Sequence, residues 1–403
     1  MSEMTEQTWG LFERANATKP PPAPAPDMTW EIPTNRMIQG GTARVYLASS
    51  KFGLTRPVIL SDGFNAGESN FDEFWHGING KRFAFANELR QRGYDLILLG
   101  YKERSASILE NAEVATQCIM RAIAERKGSA PLTVGGFSMG GLVTRYALAK
   151  MEMMRIDHQT STYLSFDSPH RGAWIPIGLQ ALAHFITIVP AMSKQINSPA
   201  ARQLLWQHID SVEALPQQDP LRTEFLAALE RVGNWPQRPR KLAIANGVGT
   251  GVANPAIPPD ALALECTSGV FETTKLYTQG GSNLNPVAFL KGTQNEKTVR
   301  VRGLPEIDGA PGGTLESFAI AADNLTIPLV SKAVAHIPKI CFVPSISAVA
   351  VRDISAETLH TKINELNPGE SEVDDFICSS EPTLHSEMTP ELGTWILDRL
   401  PQL

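Results

Sequence analysis

Residues 135–148 read GGFSMGGLVTRYAL and set one serine, Ser138, between two pairs of glycines. Glycine is a poor neighbour for a serine that merely packs, because it costs conformational entropy and fills no space. It suits a strand that must turn sharply into a helix, so that the serine oxygen stands clear of the backbone. Gly136-Phe137-Ser138-Met139-Gly140 fits the G-x-S-x-G pattern of such a turn. A short apolar run, PLTVGGF, precedes the serine, and the helical pattern MGGLVTRYALAKMEMM follows it. In that setting Ser138 is a candidate nucleophile. The Met139 backbone N–H, at a helix N-terminus, is a candidate donor to a developing oxyanion.

Holding a serine this way takes a sheet with helices around it, and the chain order supplies one. MTWEIPTN and ARVYLASSKFG read as early strands, and RPVILSDGFN is an apolar run ending in turn residues. KRFAFANELRQRG has helical spacing and stops at Gly93, and YDLILLGY is a continuous apolar strand. ENAEVATQCIMRAIAERKG is a helix, and TYLSFDSPH is again a strand. This alternation predicts an α/β fold with a doubly wound, mostly parallel sheet. Beyond it, residues 174–235 read as largely helical and RKLAIANGVG as a further strand. Residues 254–335 mix expected strands (GVFETTKLYT, KTVRVRGL) with Gly/Pro loops, and KICFVPSISAVAV is a late strand. TPELGTWILDRL closes the chain as a helix, with Thr389 as its cap and Pro390 at its first position.

With these motifs in place, the sequence resembles the α/β-hydrolase superfamily, in its lipase and esterase branch. The resemblance runs over most of the chain after about residue 28 and is strongest over Pro57–Gly172 and around His385. It implies a hydrolase domain over 28–403, with a lid- or cap-like insertion at 174–235 and a second insertion at 254–335, after a Pro-rich lead-in at 1–27. Family members place a second oxyanion donor after their third strand, often beside a His-Gly pair. Here that stretch is SDGFN, with Asp62-Gly63 instead, so the resemblance implies the Phe64 backbone N–H. FDSPHRGA resembles the T-P-H-R-G-S stretch of many lipases, which makes His170 structural. The family's catalytic histidine lies on a loop before the last helix, and His385 in PTLHSEMTPELG occupies that place. Of the other histidines, His76 precedes the serine, against the family order of serine, acid, histidine. His158, His184 and His208 fall too early, His336 lies beside a late strand inside the expected sheet, and His360 sits in the helix-like SAETLHTKINEL.

The acid is less determined. Most family members carry it after the seventh strand, but KLAIANG is followed by VGTGVANPAIPP, with no carboxylate before Asp260. A minority of lipases carry it after the sixth strand, where Asp167 stands. Asp167 is therefore the expected acid, with Asp260, Asp308 and Asp353 as alternatives. The expected activity is hydrolysis of carboxylic esters through Ser138, His385 and Asp167. An acyltransferase or thioesterase would use the same residues, and a binding protein of the same fold is a further class.

Composition bounds the partners. The 403 residues are 42% hydrophobic and 19% charged, with a net charge of −6, so no basic footprint points to nucleic acid. The four cysteines are dispersed, as buried free thiols would be, and no metal-binding pattern appears. No cofactor is expected: ANGVGTGVA breaks the dinucleotide spacing at Val252, and prolines follow. The acidic N-terminus lacks an apolar signal segment, which points to the cytoplasm. The apolar stretch 173–192 is interrupted by Pro176, Gly178, Gln180, His184 and Pro190, so it is expected to pack in a core, or to form a lid or line a pocket for a small or lipid-like acyl substrate, rather than span a membrane.

Overall fold

The structure is a computed structural model that describes residues 19–34, 38–186, 190–281, 286–326, 330–367 and 369–402. Most of the lead-in (1–18) and part of the apolar stretch (187–189) lie outside these. The first seven strands are β1 (Met28–Ile32), β2 (Gly41–Tyr46), β3 (Pro57–Ser61), β4 (Asp95–Tyr101), β5 (Leu132–Phe137), β6 (Thr160–Phe166) and β7 (Arg240–Ala245). After them come β8 (Leu262–Gly269), β9 (Lys275–Tyr277), β10 (Pro286–Lys291), β11 (Glu296–Arg300), β12 (Gly312–Leu315), β13 (Ser331–Ala335), β14 (Ile340–Pro344) and β15 (Asp375–Cys378).

Eight strands form the central sheet, in the order β1-β2-β4-β3-β5-β6-β7-β15. β2 is antiparallel to both β1 and β4, and every pair from β4 to β15 is parallel. Alternate residues of a strand face opposite sides of a sheet, and both sides are covered here. Ile97, Leu99 and Tyr101 of β4 join Val134 of β5 in a core with the helices Ile108–Glu125 and Met139–Met153. Leu96 and Leu98 join Phe137 and Phe166 in a second core, against the helices Phe71–Ile78, Phe85–Gln91 and Pro390–Leu397. The sheet is thus doubly wound, with β3, β5, β6 and β7 ending on one edge, where a site can form. Helix ends follow their sequence signals: Thr389 Oγ1 accepts the Leu392 N–H at 3.3 Å, and Gly93 turns with φ 83°.

The second half departs from the expected pattern in three places. KICFVP forms β14, which pairs antiparallel with β12 outside the central sheet, and Pro344 ends it before the short helix Ser345–Ala348. The eighth central strand is instead β15, whose half-buried residues carry little apolar periodicity. GVFETTKLYT is not one strand: Gly269 (φ 86°) and Thr273 (φ 72°) turn the chain between β8 and β9. These belong to a five-stranded antiparallel sheet, β11-β10-β9-β8-β13, and His336 adjoins its edge strand rather than the central sheet. SAETLHTKINEL is turns and one 3₁₀ segment, Ile363–Glu365. Ser355 Oγ accepts the Thr358 N–H at 3.3 Å and Thr361 Oγ1 donates to Thr358 O at 2.6 Å. Such local bonds compete with helix formation.

Among the described residues no helix is long and apolar enough to cross a membrane. The helices Ile177–Phe185, Pro199–Leu204 and Pro220–Arg231 lie in the 174–235 segment, and Ile177 through Ala183 are all buried. Cys118, Cys266 and Cys341 are buried free thiols, and Cys378 is half-buried.

Candidate active site

Ser138 sits between the end of β5 and the helix Met139–Met153 with φ 52° and ψ −122°, a conformation that costs energy in any residue with a side chain. Its N–H donates to Phe166 O of β6 at 2.9 Å, which pins the turn. The glycines make the turn fit. A methyl on Gly140 would stand 2.4 Å from Ser61 O, and one on Gly136 would stand 2.4 Å from the Gly140 carbonyl carbon. A serine at a helix N-cap ordinarily turns its hydroxyl onto the first-turn N–H groups. Ser107 and Ser198 do so, yet Ser138 makes no such bond, so its oxygen is not spent on the helix.

His385 is held by several partners. Its N–H donates to Thr314 O of β12 at 2.7 Å, and its ring meets the Phe342 ring edge-on with centroids 4.8 Å apart. Nδ1 lies 2.6 Å from Asp167 Oδ2. Asp167 directly follows β6, is 0% exposed and has φ 47°. Its Oδ1 accepts the Asn246 N–H at 2.9 Å. With Nδ1–H donating to the carboxylate, Nε2 keeps its lone pair; it is buried and has no hydrogen-bond partner among the described residues. His385 and Ser138 line one cavity of about 270 Å³, together with Gly63, Phe64, Phe74, Phe137, Leu315 and Phe342. Gly63 and Phe64 lie in the loop that Asp62 opens after β3, and a methyl on Gly63 would come within 3.3 Å of Ser138 Cβ. Met139 N–H heads its helix, where the first N–H groups have no intrahelical acceptor.

The other candidates lie elsewhere. Asp308 accepts from Trp174 Nε1 at 2.6 Å and Gln279 N–H at 2.7 Å, and burial pushes its carboxyl up to about 6. Asp353 is 92% exposed and faces Arg171, and Asp260 lies against Gly280. His170 is buried between Ser165 Oγ (2.7 Å from Nε2) and Arg145 Nη1 (3.3 Å from Nδ1), beside Trp235. Burial, followed by the charges of Arg145 and Arg171, pulls its ring well below the usual histidine range and keeps it neutral.

The doubly wound, mostly parallel sheet and the serine turn after β5 match what the sequence resemblance implied. The fold is that of the α/β-hydrolases. No family model matches the chain, and no curated protein does. Solved structures similar to it include a lipase of Bacillus licheniformis in mature form, with 14% identity and TM-score 0.31, over 55% of this chain and 74% of that one. This chain covers 40% of the propeptide form of the same lipase. An esterase of Pyrobaculum calidifontis is 13% identical, with TM-score 0.29, over 54% of this chain and 75% of that one. A serine hydrolase without lid from Xanthomonas campestris is 16% identical, with TM-score 0.26, over 38% and 66%. At such identities they say nothing of substrate.

Sequence reasoning passed over three residues around His385 and Asp167. Asn246, first after β7, donates through Nδ2 to Thr383 Oγ1 at 2.7 Å and Glu387 O at 2.9 Å. Thr383 returns its N–H and Oγ1 to Asn246 O at 3.1 and 3.0 Å. Gly313 of β12 passes so close to Asp167 that a methyl there would stand 2.0 Å from Oδ2. Only Asn246 left a trace in the sequence, as a polar residue closing an apolar strand.

Proposed function

We propose that the chain is a serine hydrolase that cleaves carboxylic esters, with Ser138 as nucleophile, His385 as base and Asp167 as the acid that orients it. The observation that carries this reading is the His385 ring: Nδ1 bonded to a buried carboxylate, Nε2 unpaired, in the cavity that Ser138 lines. His385 Nε2 takes the proton of Ser138 Oγ as the oxygen attacks the acyl carbonyl. The Met139 and Phe64 N–H groups hold the oxyanion, each worth about 10²–10³ in rate. Collapse expels the alcohol, which takes its proton from His385. Water, deprotonated by the same ring, then attacks the acyl-enzyme; the carboxylic acid leaves and Ser138 regains its proton. Asp167 keeps the ring in the tautomer that has its lone pair on Nε2 and steadies its charged form.

The cavity lining bears on the substrate. Phe74, Phe137 and Phe342 give the cavity of about 270 Å³ an apolar lining that suits an acyl group. The buried side chains of 177–183 support a fixed cap over 174–235, and β12, within 254–335, supports the histidine loop. The test is hydrolysis of p-nitrophenyl esters of increasing chain length, run beside Ser138→Ala. Ester hydrolysis is expected from the wild type, and the alanine variant is expected to lose about 10⁶ in kcat with an unchanged melt. An alanine variant with near wild-type turnover overturns the reading.

A further inference from the structure

The loop after β3 opens on an acid. Asp62 Oδ1 accepts the Gly63 N–H at 2.8 Å and closes a tight turn, while the Asp62 N–H donates to Leu99 O at 2.9 Å. Gly63 packs against the serine turn, its added methyl standing 3.9 Å from Ser138 Oγ. The carboxylate therefore heads the loop that carries the Phe64 N–H, and it lines the same cavity as Ser138 and His385. Like charges in a site shielded from water repel strongly. An unopposed Asp62 would work against any oxyanion formed beside it.

One cation among the described residues stands within 4 Å of that carboxylate: Arg104, with Nη1 3.7 Å from Oδ2. Oδ2 is buried and has no hydrogen-bond partner among the described residues, so its compensation is the charge of Arg104. Both side chains are largely enclosed, at 11% and 15% exposure. Arg104 is fastened to the same loop, with Nη2 donating to Ala66 O at 3.3 Å and its N–H to Gly67 O at 2.9 Å. Burial pushes the Asp62 carboxyl up. Arg104 is the strongest influence pulling it back, ahead of the Ser69 hydroxyl and the Gly63 N–H.

We propose that Arg104 is a positioning residue whose charge cancels that of Asp62, so that an aspartate shapes the oxyanion loop without repelling the charge that develops there. This rests on the serine-hydrolase reading above. Asparagine at position 62 keeps the oxygen that accepts from Gly63 and removes the charge, which makes the idea separable from loop structure.

The test reads the rate at which a fluorophosphonate labels Ser138, a reaction in which Ser138 Oγ gives its proton to His385 Nε2, bonds to phosphorus and expels fluoride. It needs the nucleophile and the oxyanion donors but no knowledge of the substrate. Arg104→Met is expected to slow labelling about 10–100-fold, and Arg104→Lys, which keeps the charge, to slow it much less. Arg104→Gln carries the same expectation as the methionine variant if that one does not fold. Adding Asp62→Asn to Arg104→Met is expected to restore most of the rate. An Arg104→Met protein that labels like wild type overturns the proposal. So does a double variant that melts like wild type and stays as slow as the single one. A wild-type protein that is not labelled overturns the serine-hydrolase reading, and this proposal with it.

Discussion

Ser138 reaches the cavity through one strand, one turn and one helix, all within residues 132–153. His385 reaches it through contacts from Asp167, Thr314 and Phe342, while Asn246 holds its loop through Thr383 and Glu387, and these four supports lie on four separate segments. The serine side is over-determined locally, because the strained turn and the helix start come with the glycines that allow them. The histidine side is an assembly in which no single segment fixes the ring. Damage to one contact there should therefore be graded, whereas damage at the serine should be complete.

The expected effects follow that contrast. Ser138→Ala has the largest, the roughly 10⁶-fold fall in kcat with an unchanged melt. A partial loss would break the contrast at its strong end. Asn246→Ala should be intermediate: it loosens the histidine loop without touching Asp167 directly, since the N–H that bonds the carboxylate is main chain. A fall in kcat of about 10–100-fold is expected, with a lower melt from lost buried hydrogen bonds, about 1–3 kcal/mol. Kinetics and thermal unfolding on the same preparation check both. If its kcat were unchanged, the histidine side would be as locally determined as the serine side. His170→Ala should have the smallest catalytic effect. Its ring fills a buried site between Arg145, Ser165 and Trp235, so the melt should fall while kcat stays within about threefold.

The same contrast explains what the sequence made legible. The β5–Ser138–helix unit could be read directly because its spacing, glycines and apolar runs are local signals. The central strands β3 to β7 were legible for the same reason: buried parallel strands read as apolar runs. KICFVP was just as apolar but joined β12, because burial alone does not name the sheet a strand enters. β15 was missed because an edge strand with half-buried residues carries no clear period. Asn246 and Thr383 left almost no signal, since their importance lies in meeting across 137 positions of chain.

Removal of Asp167, the proposed acid, is the most direct measurement. Asp167→Asn keeps the shape of the side chain and takes away the charge that holds His385 Nδ1–H. The expected result is a fall in kcat of up to about 10⁴ with a near wild-type melt. Asparagine at Asp260, Asp308 or Asp353 should leave kcat within about tenfold. A fully active Asp167→Asn protein, or a loss as large from one of the other three, would contradict the arrangement of Ser138, His385 and Asp167.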